Sequence, residues 1–234
     1  MTDTNLTIGT IVAKDYRTAK VFEDYGIDFC CGGKLTLTAA CIEKGIDQAA
    51  ISRDLEAVQN QTLERSQNYL AWELPFLLDY IVNVHHTYLN ENIPQIVGYL
   101  HKISGVHGKN HPELIDITAL FSKIASAMPP HLREEEVDFF PAVKRADQAK
   151  KSNVPLTEKD IKSIRPSLAK LVQEHEEIGD AIHKIHQLAK GYAIPHDACN
   201  TFTVTYLKLK EFEEDLHKHV HLENNILFPK AMQL

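Results

Sequence analysis

From residue 75 onward, apolar residues return every three or four positions, the spacing that gathers them on one face of a helix. Four such stretches are predicted. The first, about 75–106, buries Val82, Leu89, Ile93 and Val97, with a kink at Pro94. The second, 112–144, buries Ile117, Leu120, Ile124, Met128 and Phe139. The third, 157–190, starts at a Thr157 cap, carries Pro166 inside, and buries Leu168, Leu171, Ile178, Ile182 and Ile185. The fourth, 197–228, buries Phe202, Tyr206, Leu209, Leu216 and Leu227. Amphipathic helices with short connections read as an antiparallel four-helix bundle over 75–234. Ahead of it, residues 1–60 alternate shorter helical patterns with glycine turns. Gly26 and Gly45 stand where C-caps belong, and Thr36 and Asp47 where N-caps belong. The expectation is an all-α chain: a small N-terminal helical domain, a polar linker over 61–74, then the bundle. No internal repeat stands out.

Composition narrows the function. Of 234 residues, 44% are apolar and 24% charged, an ordinary soluble balance, and ten glycines and ten prolines suit long helices. A net charge of −7 argues against broad nucleic-acid binding. No run of eighteen apolar residues appears, so no membrane-spanning helix is expected. "MTDTNLTIGT" lacks the features of a secretory signal, so a cytoplasmic protein is expected. Four cysteines in such a chain do not suggest a disulfide framework, whereas thirteen histidines invite a search for ligands.

The search centres on "LHKHVHLENNILFP". His219 and Glu223 are four apart and continue the apolar line of the fourth helix, while His217 and His221 lie off it. His131 and Glu135 form a second such pair on the second helix, and His175 lies on the stripe of the third. On the first helix His86 is nearer the stripe than His85, and His107 sits just beyond its end, before "GKNHP". His183 and His186 are nearer an edge, and His101, His183, His196, His217 and His221 are given no role. One inward histidine is more often a core residue than a ligand. A buried carboxylate, however, is costly unless paired or coordinated. Inward histidines on all four helices, two with a glutamate one turn on, point to a shared metal site.

Counting His107, five imidazoles and two carboxylates are too many for one tetrahedral zinc, and calcium or magnesium would ask for mostly oxygen. The donors suit iron, with manganese, zinc or copper as lesser options. Two octahedral ions fit: five positions from histidine, four from two bridging glutamates, two from an oxo or hydroxo bridge, and one left for a small molecule. The Glu-x-x-His spacing of ferritin-like proteins is absent among these candidate ligands.

The His-x-x-x-Glu pairs and lone histidines resemble haemerythrin-like domains. With "GIDFCCGG" and "HLENNILFP", nearly the whole chain resembles the iron–sulfur cluster repair di-iron proteins, the RIC or ScdA/YtfE-like family. The resemblance implies two non-haem, oxo-bridged iron ions, held by His86, His107, His131, His175 and His219 with Glu135 and Glu223 as bridges. His107 enters the set only through the resemblance. It also implies a homodimer that restores iron–sulfur clusters damaged by nitrosative or oxidative stress, by supplying iron to the damaged proteins. Alternatives are a nitric oxide reductase forming nitrous oxide and an O2 or NO sensor. "MPPHL" departs from the family pattern: Pro129 and Pro130 remove two backbone donors, so a kink or restart of the helix is expected before His131.

"DFCCGGK" is the other chemical feature. Adjacent cysteines lie about 3.8 Å apart at Cα, too close for an ordinary disulfide. Lys34 would favour a thiolate at Cys30 or Cys31, suited to transient iron binding, persulfide or nitrosyl chemistry, or redox relay. Cys41 is read as core packing and Cys199, at the head of the last helix, as structural.

Overall fold

The computed structural model describes residues 4–62 and 65–234, with all their side chains except those of 65, 158, 159 and 161–163. The chain forms two compact units, one running to Leu78 and including Lys218–Leu234, the other Asp79–His217.

In the first unit, short helices begin and end on residues suited to the task. Helix α1 (Ile8–Lys14) is capped by the Thr7 hydroxyl, which accepts from the Thr10 N–H at 3.2 Å. Helix α2 (Thr18–Asp24) runs into Gly26 at φ +65°. Helix α3 (Leu37–Lys44) lies between the Thr36 hydroxyl, accepting from Ala39, and Gly45 in the left-handed region at φ +65°. Helix α4 (Gln48–Gln59) is capped by Asp47. Their core is Ile8, Ile11, Val12, Phe22, Phe29, Leu37, Ile51 and Leu55, all buried. An isolated antiparallel bridge joins Thr7 and Thr36. The end of the chain packs into this same unit: the Lys218 ammonium lies over the Tyr16 and Tyr69 rings, and Lys230 Nζ donates to the Trp72 carbonyl at 2.6 Å.

The second unit is built of helices joined by loops at 108–112, 152–157 and 189–199. Helix α5 (Leu74–Tyr80) enters it through a π-helical turn, Ile81–His86, into α6 (Thr87–His107). Helix α7 (Glu113–Glu134) passes through another, Glu135–Phe139, into α8 (Phe140–Lys151). Helix α9 spans Glu158–Leu188 and α10 spans Asn200–His221. The Thr157 hydroxyl caps α9 by accepting from the Asp160 N–H. Phe121 of α7 meets Phe212 of α10 edge to face at 5.1 Å, and Lys208 of α10 donates to Asn92 of α6 at 2.8 Å. The stripe residues are buried apart from Val82, Val97 and Leu120, which are half-buried at its margins. Among the described residues, no helix is long and apolar enough to cross a membrane.

Pro129 and Pro130 do not break the second rod: α7 continues through both to Glu134. The two prolines and Ser126 are exposed and Ala125 is half-buried, so water can reach the carbonyls of 125 and 126 that lose their donors. The prolines at 141 and 229 act differently. Each lacks an N–H, and its ring crowds the carbonyl four residues back. The preceding turns widen into π helix, Glu135–Phe139 and Leu222–Leu227, in which the Phe140 N–H reaches the Glu135 carbonyl and the Phe228 N–H that of Glu223. Helix α11 (Phe228–Ala231) follows the latter turn. No proline follows Ile81–His86 at that spacing, and nothing in the sequence explains that turn.

Candidate metal centre

In the second unit, four of the expected ligands come together. His86 ends its π turn, His131 stands one turn before Glu135, and His175 comes from α9; all four side chains are buried. Glu135 Oε2 lies 3.4 Å from His86 Nε2, and Glu135 Oε1 lies 3.6 Å from His131 Nε2. His131 Nε2 and His175 Nε2 are 3.1 Å apart. One donor atom from each of His131, Glu135 and His175 lies within 4.8 Å of the others.

The opposite ring nitrogens define what these atoms offer. His86 Nδ1 lies 2.8 Å from Glu136 Oε1, and His131 Nδ1 lies 2.8 Å from Glu174 Oε2. A carboxylate accepts only, so each Nδ1 carries the proton and a neutral ring turns the Nε2 lone pair inward. Those lone pairs face a carboxylate and, at His131, a second imidazole. Such an array is reconciled by protons or by cations. Carboxylates behind metal-facing histidines are the usual means of fixing the tautomer and strengthening the donor. The set therefore fits a transition metal of intermediate softness. The two oxygens of Glu135 face different histidines. The sequence reading missed Glu136 and Glu174, although each stands next to a ligand in the chain. It also missed His85, buried with Nδ1 2.9 Å from Asp215 Oδ1.

His107 is not part of this group. It ends α6, twenty-one residues after His86, a rise of about 30 Å. Its Nε2 instead meets Cys199 Sγ at 3.2 Å.

The first unit contains the other His-x-x-x-Glu pair. His219 Nε2 lies 3.1 Å from Glu223 Oε1, and both residues are buried. The two pairs share a longer repeat, His-x3-Glu-x4-Phe-Pro, at 131–141 and 219–229, which the stripe reading passed over. His221 is also fully buried, contrary to its expected surface position. Its ring lies 5.4 Å from Tyr16 and 5.8 Å from Phe29, and burial pushes its pKa down to about 3.

The vicinal cysteines sit against this same C-terminal turn. Asn224 Nδ2 donates to the Cys30 carbonyl at 3.4 Å and Asn225 Nδ2 to the Phe29 carbonyl at 3.3 Å. The cysteine loop itself depends on glycine where it passes α1: a Cβ on Gly33 would lie 2.5 Å from the Phe29 carbonyl oxygen and 3.0 Å from the Gly9 Cα. The Asp28 carboxylate accepts from the backbone N–H groups of Cys30, Cys31 and Gly32 at 2.8–3.1 Å. The two residues are not joined by a disulfide, and their sulfurs lie 3.8 Å apart. Asp28, Cys30 and Cys31 each offer a donor atom within 4.8 Å of the others. The expected thiolate is not found at Cys30: its thiol is pushed well up, first by its hydrogen bond with Cys31 and then by burial. Cys41 is buried, as read.

Residues 77–231 match the hemerythrin HHE cation binding domain, and residues 4–59 match ScdA_N, a domain of unknown function (DUF542). Over 222 residues the chain is 31% identical to the iron-sulfur cluster repair protein ScdA of Staphylococcus epidermidis, covering 94% of this chain and 95% of that protein. It is 30% identical over 226 residues to ScdA of Staphylococcus haemolyticus, covering 95% and 96%. It is 29% identical over 229 residues to the iron-sulfur cluster repair protein YtfE of Yersinia pestis, covering 98% and 97%. A buried histidine–carboxylate cluster in an all-α chain matching the hemerythrin domain defines the class as haemerythrin-like metal-binding proteins. Within that class, the chain belongs to the ScdA/YtfE family of iron–sulfur cluster repair proteins.

Proposed function

We propose that the protein holds two non-haem iron ions and restores damaged iron–sulfur clusters by giving up that iron. The observation carrying the metal reading is Glu135, which turns one oxygen toward His86 and the other toward His131, each ring being oriented from behind by a carboxylate. In this reading His219 and Glu223 are further ligands to the iron. Support comes from the shared His-x3-Glu-x4-Phe-Pro repeat, the π turn that each glutamate begins or adjoins, and the match to one hemerythrin domain running over 77–231. Residues 1–78 and Lys218–Leu234 serve as one module, and four thiols outside any disulfide suit a reducing compartment such as the cytoplasm.

Bound iron supplies an exchangeable ion held by nitrogen and oxygen rather than by a thiolate cage. The chain's own residues would position it: Glu136 and Glu174 hold the imidazole tautomers, and Glu135 would supply negative charge to offset that of the iron. Asp28, Cys30 and Cys31 offer a smaller oxygen-and-sulfur set on the loop that Asn224 and Asn225, the residues after Glu223, hold by its carbonyls, suited to passing iron on.

The test is anaerobic transfer. Iron-loaded protein mixed with an apo iron–sulfur protein and sulfide should rebuild the cluster absorption faster than free ferrous ion at the same concentration. Metal analysis should give about two irons per chain, and Glu135→Ala should lose both. Retention of both irons by that variant overturns the bridging reading; full loading without transfer overturns the donor reading. Nitrous oxide in the headspace of reduced protein given nitric oxide would move the chemistry to the centre itself.

A further inference from the structure

Away from His86, His131, Glu135 and His175, the second unit brings Cys199, read from the sequence as structural, together with His107, expected there as an iron ligand. Cys199 stands at the N-cap of α10 and is exposed. Its Sγ lies 3.2 Å from His107 Nε2, and the Phe202 backbone N–H, at the head of the helix, also points to it. His107 is held in place by the Phe202 ring, 5.4 Å away, and by His111 at 6.4 Å. His111 is clamped between Glu113, 3.0 Å from Nδ1, and Asp197, 3.0 Å from Nε2, fixing the loop before Cys199 to the start of α7. The charged and titratable groups around the pair are thus His107, His111, Glu113, Asp197 and His196.

We infer that Cys199 and His107 form a thiolate–imidazole pair that is the site of reaction with hydroperoxides, a role distinct from iron binding. Sγ attacks one oxygen of hydrogen peroxide; the S–O bond forms as the O–O bond breaks. Sulfur is oxidised by two electrons to a sulfenic acid and the peroxide is reduced. The hydroxide that leaves takes the proton held at His107 Nε2 and departs as water.

Selectivity follows from the surroundings of the four sulfurs. Cys30 and Cys41 are buried and their thiols are pushed up. Cys31 is half-buried beside Cys30 and Asp28. At Cys199, the Phe202 N–H first and His107 second bring the thiol down to about 7, within reach of a helix N-terminus that favours the anion.

The test follows each cysteine of the iron-loaded, full-length protein by peptide mass spectrometry, with iodoacetamide across pH and with hydrogen peroxide plus dimedone at pH 7. Cys199 should alkylate about tenfold faster than the other three at pH 7 and take most of the dimedone. Its alkylation midpoint should lie near 7 and rise by about one unit in His107→Gln, with trapping slowed alongside and iron content kept. Cys199→Ser, whose hydroxyl still caps α10, should keep the parent melting midpoint and lose the label. Equal labelling of Cys31, an unmoved midpoint in His107→Gln, or loss of iron in that variant overturns the inference.

Discussion

Glu136 and Glu174 touch no metal-facing nitrogen directly; each holds a ring through the nitrogen that faces away. Their effect is on tautomer and basicity, and losses of ten- to a hundredfold in affinity are typical for such partners. Glu174→Ala should therefore keep iron at saturating concentration and release it to a chelator about tenfold faster. Titration with a competing chelator reads this directly, with Glu174→Gln as the milder change. His221 makes a prediction of a different kind. Folded, it stays neutral down to about 3, while in the unfolded chain it takes a proton near 6.5. The unfolded state thus binds more protons between those values, and stability drops as pH falls through that window. At pH 4 the contribution is about 3 kcal/mol. His221→Phe, which keeps a ring against Tyr16 and Phe29, should melt with less acid sensitivity than the parent, and the difference between the two pH profiles isolates the histidine.

At the scale of elements, the helices and their stripes were legible because 3.6-residue periodicity reports which face is buried. The same periodicity brought His86, His131, Glu135 and His175 forward. It could not register the π turns, because one extra residue in a turn leaves no mark on spacing; the sign was proline after phenylalanine, at Phe140-Pro141 and Phe228-Pro229. His221 was misplaced for a related reason. A stripe argument assumes one wet face, but around the last turns Val220, His221, Leu222, Glu223 and Ile226 are all buried. His107 came from likeness to a family rather than from its own position, and the helix rise separates it from His86. Pro129 and Pro130 lie on an exposed stretch of α7 that runs straight through them, so they cost stability without ending the helix. Replacing both by alanine should raise the unfolding free energy by about 2 kcal/mol, measured by urea titration.

For the whole molecule, the buried carboxylate Glu135 among inward-turned imidazoles makes the metal-free state the costly one. Anything that binds only the folded chain stabilises it by mass action. Stripping iron with a chelator should lower the melting midpoint by several degrees, about 1–3 kcal/mol for a chain of this size, and restoring ferrous iron should recover it. The first unit has a further consequence. Its interior is shared between the opening segments and Lys218–Leu234, so the cysteine loop finds its asparagine partners only in residues nearly two hundred positions downstream. During synthesis, the first helices leave the ribosome long before those partners exist. Phe29, Tyr16 and the Cys30–Cys31 loop must then wait, with their final seat unmade, until Asn224 and Asn225 have emerged.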